Sequence, residues 1–343
     1  AGDTFKVVKA ASRNSTFGFI SDAQSLYAGY SSKGLDLFKA SGTINQWNQA
    51  GGGDWNIAGN WSLNHLPTSG EEALVLDLSS APIITLGNAV PTPDAIRFLG
   101  DETFQINSGG SITVAGASNL SNGGTLNVNA GTFTGNGSVN LSNLTISGGT
   151  LTGTGNIAVA SVFSATGGTI TKSSGTPTLA LNGTSSISGA LSLGRDASVA
   201  AAQTLTVSAS AALNLQAGVT LTNNGTVNVT TSSADPFGLN VHSFIANNGA
   251  FNINRSGVAW LTQVGLTNSG TVSVNSGADL RLNETGSFTH SGTFNVTSGS
   301  TLSLWQGSHN FSNTGADNVA GAGNFYTQST GTVDFGKGAA LSG

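Results

Sequence analysis

Apolar and polar residues alternate in short runs between about residues 213 and 315, and each run follows a polar turn and a glycine. The run beginning at Asn224 reads Asn-Gly-Thr-Val-Asn-Val, and related runs begin at Asn248, Ser269 and Ser291. Their glycines, at 225, 249, 270 and 292, are separated by 24, 21 and 22 residues. Alternation of period two is typical of strands with one buried face. A repeat of about 22 residues built from such strands indicates stacked coils.

The repeat predicts an all-β fold, a parallel β-helix (β-solenoid) of the right-handed kind. A single coil cannot bury its apolar face, whereas stacked coils share one core and pair each strand with the next coil. The alternation places Val227 and Val229 inside and Thr226 and Asn228 outside. Gly and Asn at the corners suit the left-handed and tight-turn conformations. Aligned Asn side chains are expected to hydrogen-bond to one another along the solenoid.

Three parts are predicted along the chain. Residues 1–40 form a small antiparallel or mixed β unit that covers one end of the solenoid. Residues 41–80 form a cap that contains Trp47, Trp55 and Trp61, whose indole rings close the apolar end of the first coil. A platform on which sugars stack is the alternative for these three rings. Residues 81–343 form the solenoid.

Two segments resemble parts of very large bacterial adhesins and autotransporter-like surface proteins. Residues 1–40 carry Gly2-Asp3-Thr4-Phe5, then Phe17-Gly18-Phe19, then Leu35-Asp36-Leu37, and are similar to a unit found at the end of repeat passages in those families. The tryptophan-rich segment resembles the opening segment of their β-helical repeats. The resemblance implies a β-helical surface protein.

The order of these segments predicts one unit of a longer array. The chain starts with a segment that resembles the end of a repeat, and its last coils show no capping pattern. We therefore expect units to be joined covalently or to dock head to tail. The expected junction residues are Phe5, Phe17, Phe19, Trp47, Trp55 and Trp61.

Composition narrows the function. Only 8% of the 343 residues are charged, and a net charge of −5 gives no basic surface for nucleic acid. No apolar run is long enough for a membrane span. Cysteine is absent, so neither disulfides nor thiolate metal sites can form. A cysteine-free chain rich in Gly, Ser, Thr and Asn suits an extracellular protein or one on the bacterial cell surface.

Catalytic, cofactor and metal sites are not expected. The densest polar group is Asp279, Arg281 and Glu284 with His290, which we expect to be a solvated surface cluster. The remaining histidines are expected at surface or corner positions. They are His65, His242 and His309.

These patterns favour a structural protein, a solenoid unit of an extracellular filament or giant adhesin, and not an enzyme. Its expected partners are copies of itself or adjacent repeats, and surface glycans. Two alternatives stay open: a carbohydrate-binding or receptor-binding adhesin module, and a polysaccharide lyase or hydrolase. An aromatic groove would favour the first, and three or more carboxylates on adjacent coils would favour the second.

Overall fold

The computed structural model describes residues 4–8, 26–31, 34–78, 80–238, 242–275, 277–312, 319–327 and 332–335. These residues contain β-strands, turns and one 3₁₀ turn, Ala58–Asn60, and no α-helix. Parallel strands stacked coil upon coil confirm the predicted β-solenoid. The right-handed sense stays a prediction. Within this part of the chain, no helix is long and apolar enough to cross a membrane.

Contacts divide the chain into two compact units. Unit 1 comprises residues 1–162 and 172–177, and unit 2 comprises residues 163–171 and 178–343. The boundaries predicted at residues 40 and 80 stay predictions.

Unit 1 begins with a three-stranded antiparallel sheet in which β3 lies between β1 and β2. Phe38 of β3 is fully buried and packs with Leu74 and Leu99 of the first coils. The partly buried side chains around them are Tyr27, Ile44 and Leu76. The strands that follow pair in parallel from coil to coil. The strands of unit 1 are β1 (Thr4–Val8), β2 (Leu26–Ser31), β3 (Gly34–Lys39), β4 (Thr43–Gln46), β5 (Gly53–Asp54), β6 (Glu71–Val75), β7 (Ile83–Leu86), β8 (Ala95–Phe98), β9 (Thr103–Ile106), β10 (Ser111–Val114), β11 (Ser118–Val128), β12 (Thr132–Gly135) and β13 (Val139–Thr152), while β14 (Ile157–Ile170) belongs partly to each unit.

Unit 2 is built from coils that carry up to three strands each. Its later coils stack as three columns, and the third column is a separate four-stranded sheet of order β25-β28-β31-β34. The strands are β15 (Thr178–Leu181), β16 (Thr184–Ile187), β17 (Leu191–Leu193), β18 (Asp196–Val199), β19 (Thr204–Val207), β20 (Leu213–Leu215), β21 (Thr220–Asn223), β22 (Thr226–Val229), β23 (Ser243–Asn247), β24 (Ala250–Asn254), β25 (Gly257–Thr262), β26 (Val264–Asn268), β27 (Thr271–Asn275), β28 (Ala278–Asn283), β29 (Ser287–His290), β30 (Thr293–Val296), β31 (Thr301–Leu304), β32 (Ser308–Phe311), β33 (Val319–Ala320), β34 (Asn324–Thr327) and β35 (Thr332–Phe335).

The repeated phrase occupies the same position in successive coils. Val227 pairs with Phe251, which pairs with Val272, which in turn pairs with Phe294. All four side chains are fully buried, so the predicted register is confirmed. Val229, two residues after Val227, is also buried. Asn228, which lies between these two valines, is half-buried on the outer side.

The glycines of the repeat are required for a different reason from the predicted one. None of Gly225, Gly249, Gly270 and Gly292 has a positive φ, so the expected left-handed corner is wrong at these positions. Instead, a Cβ on Gly249 would lie 2.1 Å from the carbonyl oxygen of Gly225, and one on Gly292 would lie 2.0 Å from that of Gly270. Each glycine is therefore needed because the preceding coil leaves no room for a side chain.

Asparagine side chains form ladders on both sides of the coils. On the outer side Asn252 donates to Asn228 at 2.9 Å, and Asn275 donates to Asn254 at 2.9 Å, which confirms the predicted amide ladder. A second ladder, absent from the sequence-based prediction, runs inside the coil at the ends of β21, β23 and β26.

Candidate functional site

The predicted tryptophan cluster is buried. Trp47, Trp55 and Trp61 are at most 1% exposed, and their rings make edge contacts with centroids 5.1 Å apart for Trp47 and Trp61 and 4.5 Å apart for Trp55 and Trp61. The indole Nε1 of Trp61 donates to the carbonyl oxygen of Trp55 at 3.1 Å. No indole face is open to a ligand, so the sugar-stacking alternative is wrong for these three residues. Their role in a cap or junction stays a prediction.

Of the three predicted junction phenylalanines, only the backbone of Phe5 lies in the described part of the chain. Phe5 lies in β1, where its backbone pairs with Leu37. Phe17 and Phe19 lie outside the described residues.

An open pocket of aromatic and polar side chains lies instead on the outer face of the sheet β25-β28-β31-β34. The strand register aligns Trp260, Arg281, Ser303 and Tyr326 in one row across the four strands. In β25, β28 and β31 the residues on either side of this row, such as Leu280 and Leu282, are buried in the core. Because side chains alternate along each strand, the leucines point into the core and the residues between them point to the outer face. The outer row therefore carries aromatic and polar side chains.

Arg281 contacts two indole rings at this site. Its guanidinium carbon lies 4.7 Å from the ring centroid of Trp260 and 5.2 Å from that of Trp305. The two indoles meet edge to face, with centroids 4.9 Å apart at an interplanar angle of 66°. Cation–π contacts of this kind fix both the charge and the rings. Tyr326 is 59% exposed, so its ring is available at the solvent side.

Asp279 completes the polar part of the pocket. Its Oδ2 accepts a hydrogen bond of 2.6 Å from Nε of Arg281 and forms an ion pair, also at 2.6 Å, with a terminal nitrogen of the same guanidinium. Its Oδ1 accepts a hydrogen bond of 2.9 Å from the Ser303 hydroxyl. The carboxylate is therefore paired with a cation and held in one orientation. The pocket has a volume of about 270 Å³ and is also lined by Thr301 and Trp305.

This arrangement is suited to binding a sugar ring. Flat aromatic faces beside fixed hydrogen-bonding groups are able to stack on a pyranose ring and to bind its hydroxyls. Acid–base cleavage of a glycosidic bond needs two carboxyl groups at a set separation, and Asp279 is the only carboxylate among the described residues that line the pocket.

The structure separates the polar cluster expected from the sequence. Arg281 and Asp279 lie in the pocket, whereas the Glu284 carboxylate is 4% exposed and lies 2.9 Å from Nδ1 of His242. His290 is fully buried, with its Nε2 3.0 Å from Nδ1 of His309. A single solvated cluster is therefore a wrong prediction, because the two-residue alternation of β29 directs His290 inward.

The histidines divide into two exposed and two buried side chains. His65 and His242 are exposed, as predicted. His309 is only 2% exposed, so the prediction of a surface or corner position is wrong for it, and its Nε2 lies 3.0 Å from the Gln306 carbonyl oxygen. Burial, with a smaller effect of His309, lowers the pKa of His290 to about 3. Burial likewise lowers the pKa of His309. Both rings are neutral at pH 7.

A group of three carboxylates in unit 1 could hold a metal ion. The side chains of Asp77, Asp101 and Glu102 offer oxygen atoms that all lie within 4.8 Å of one another. Neither this carboxylate group nor the pocket is apparent from the sequence, because residues that meet in each of them come from different coils. The signal that could have found them is the length of one coil, which separates Asp77 from Asp101 and also Trp260 from Arg281.

Comparisons with known proteins give no assignment. No family model, curated protein or solved structure matches the chain.

Proposed function

We propose that the chain is a structural β-solenoid segment of a bacterial surface or extracellular protein, of the filament or giant-adhesin kind, without a catalytic role. The observation that carries this proposal is the in-register stacking of the coils, in which backbone pairing, buried side chains and amide ladders repeat at equivalent positions. Such a stack is a scaffold in its own right, since each coil is held by its neighbours.

The repeated contacts suit a load-bearing role. Parallel pairing directs the backbone hydrogen bonds from one coil to the next, and the low charge of 8% leaves little repulsion between coils. Buried aliphatic columns such as Val229 with Ile253 and Val274 join the same coils on the inside. Separating two coils therefore breaks hydrogen bonds and exposes apolar surface at the same time.

The same pattern suits assembly with copies of the chain or with adjacent repeats. The edge of a β-sheet pairs with another strand mainly through backbone groups. A coil of a second copy, with the same Thr-Val-Asn-Val pattern, is therefore able to pair with the last coil of the first copy. Contacts of this head-to-tail kind do not close and generate filaments.

Electron microscopy of the purified protein and of native material tests the structural proposal. Fibres whose axial rise is about 4.8 Å per coil are the expected result. Immunolabelling of intact cells should then place the chain on the outside. Sedimentation velocity is the companion measurement: a monomer at every concentration would exclude assembly between copies, and labelling confined to the cell interior would exclude the surface location.

A glycan-binding module is the second candidate, and the aromatic pocket around Arg281 favours it. Two half-buried indoles, an exposed tyrosine ring and a fixed Asp–Arg pair lie together on one face. In this proposal a pyranose residue of a surface polysaccharide stacks on Tyr326 or Trp305 and hydrogen-bonds to Arg281 and Asp279.

A glycan array followed by calorimetry tests this candidate. Tyr326→Ala should weaken binding of a positive glycan by up to about tenfold, since stacking contributes about 0.5–1.5 kcal/mol. Phe244→Ala is the matched control, because Phe244 is a 41% exposed aromatic residue of β23, outside the pocket. An array without any positive glycan, or equal losses in the two variants, would exclude the pocket as a sugar site.

A further inference from the structure

Three carboxylates of unit 1 converge although they come from two successive coils. Asp77 follows β6, and Asp101 and Glu102 precede β9, one coil later. Their oxygen atoms lie within 4.8 Å of one another. Like charges at this separation repel, so an ion or a proton held between the carboxylates stabilises the arrangement.

Glu102 is the buried member of this group, and one of its carboxylate oxygens has no hydrogen-bond partner in the described structure. Its side chain is fully buried, and Oε1 accepts a hydrogen bond of 2.5 Å from the backbone N–H of Leu78. Oε2 is buried and has no hydrogen-bond partner in the described structure. The pKa of Glu102 is raised to about 7. Burial is the main cause, and the neighbouring charges of Asp77 and Asp101 contribute a smaller part of the rise. A buried carboxylate oxygen without a partner is costly.

Gly100 keeps the space between two of these carboxylates free of side-chain atoms. A Cβ on Gly100 would lie 2.5 Å from Oδ1 of Asp77 and 2.7 Å from Oε1 of Glu102. Both oxygens therefore converge on the backbone of this glycine. Any larger residue would push the carboxylates apart.

We propose that Asp77, Asp101 and Glu102 bind a divalent cation of the calcium class. Ca²⁺ takes six to eight oxygen ligands at about 2.3–2.6 Å in flexible geometry, so two ligands of one ion are separated by up to about 5 Å. The observed convergence fits this limit. Asp101 is exposed, so water completes the coordination on its side. Mg²⁺ is disfavoured because it needs a tighter octahedron at about 2.0–2.1 Å.

The ion would join two coils of unit 1. Asp77 belongs to the coil of β6, and the other two ligands belong to the coil of β8 and β9, so binding links consecutive coils. This role is structural. Glu102 has no exposed surface, so a polysaccharide cannot reach it, and the charges that act on it are those of two further acids and not of a base. The carboxylate group therefore does not support the lyase alternative.

A shared proton is the competing explanation of the same geometry. A neutral Glu102 could donate to Asp77 or Asp101 and hold the group together without an ion. The two explanations differ in whether calcium ions change the stability of the protein and in what Glu102→Gln does to that change.

Isothermal calorimetry and thermal unfolding of the full chain, after EDTA treatment and with added CaCl₂, are the test. The expected dissociation constant is about 10⁻⁴ to 10⁻³ M, as in extracellular calcium modules. Calcium in about 100-fold excess over this constant should raise the unfolding temperature of unit 1 by several degrees. MgCl₂ at the same concentration should give a smaller rise.

Three variants decide the outcome. Glu102→Gln keeps the size and the Leu78 contact, and Asp101→Asn changes an exposed ligand, so both should fold and both should lose the calcium-dependent rise. Asp334→Asn is the control, since it removes an exposed carboxylate from β35. Wild-type protein without a calcium-dependent rise, or a rise of equal size in Glu102→Gln, would overturn the proposal in favour of the shared proton or of another binding site.

Discussion

The side-chain Nδ2 of Asn223 donates a hydrogen bond of 2.7 Å to Oδ1 of Asn247, and both amides are buried within the coil. Asn247 in turn donates to Oδ1 of Asn268 at 2.8 Å and to the carbonyl oxygen of Thr271 at 3.1 Å. One amide per coil thus bonds both to the amide of the next coil and to a backbone carbonyl of that coil. A buried ladder of this kind fixes the register of the coils, because any slip would leave several polar groups without partners.

Replacing the central amide of this ladder should destabilise unit 2. Asn247→Ala removes one acceptor of the Asn223 amide, which still donates to the Ala250 carbonyl, and it removes the donor to the Thr271 carbonyl and to Oδ1 of Asn268. Each buried polar group that loses its partner costs about 1–3 kcal/mol. We expect the free energy of unfolding in urea to fall by about 3 kcal/mol. Asn252→Ala is the control, because Asn252 belongs to the half-buried outer ladder, and it should change stability by at most about 0.5 kcal/mol. Similar losses in both variants would show that the inner ladder has no special role.

A methyl group on a stacked glycine should be as harmful as the loss of a ladder amide. The Cβ of Gly249→Ala would lie 2.1 Å from the backbone oxygen of Gly225, which cannot move without shifting the coil. Overpacking of this type costs about 1–3 kcal/mol or more. Gly87→Ala is the control, since nothing lies within 4 Å of its Cβ position and its φ is not positive. Urea unfolding should show a large loss for Gly249→Ala and a negligible change for Gly87→Ala, and equal effects would contradict the steric explanation.

The fold could be predicted because its signal is local. Alternation within each strand and the spacing of the glycines depend on neighbouring residues, and Val227 and Val229 lie inside the coil as that alternation requires. The reason for the glycines was not predictable in the same way. Close approach to the preceding coil is a contact across 21 to 24 residues, and a single sequence gives no sign that it replaces a positive φ.

The candidate sites were missed because they are assembled between coils. Arg281 was assigned to a solvated cluster with His290, yet the two side chains lie on opposite faces of their strands. The row from Trp260 to Tyr326 exists only when four coils are placed in register. Pairing each residue with the one that lies one coil later would have shown the row and the proximity of Asp77 to Asp101. That pairing needs a known register between coils, and the irregular spacing of the repeat does not define one.

The buried histidine pair should make unit 2 sensitive to acid. His290 has a folded-state pKa of about 3, below the ordinary value of 6.5, so between these values the unfolded chain binds a proton that the folded chain does not. Stability is therefore retained above pH 6.5 and is lost as the pH falls towards 3. From pH 7 to pH 5 this histidine alone should lower the free energy of unfolding by about 2 kcal/mol.

His290→Asn provides the comparison for this pH effect. It places at position 290 the residue type found one coil earlier at Asn268, its register partner. The loss of stability between pH 7 and pH 5, measured by urea unfolding, should be smaller in the variant than in the wild type. Equal losses in both proteins would mean that other groups cause the acid sensitivity.

Arg97 and Glu72 form a buried ion pair in unit 1. Replacing one or both of them tests how strongly an unpaired buried charge lowers the free energy of unfolding. Nε of Arg97 donates to Oε1 of Glu72 at 2.5 Å, the guanidinium carbon lies 4.3 Å from the Phe38 ring centroid, and Oε2 of Glu72 accepts from Ser41. Arg97→Met keeps an unbranched side chain over Phe38 but leaves Glu72 charged and buried, so the free energy of unfolding should fall by about 3–5 kcal/mol. Adding Glu72→Gln removes that charge and keeps an acceptor for Ser41, so urea unfolding should show recovery of at least about half of the loss. A double variant as unstable as Arg97→Met would assign the loss to the packing of Arg97 and not to the buried charge.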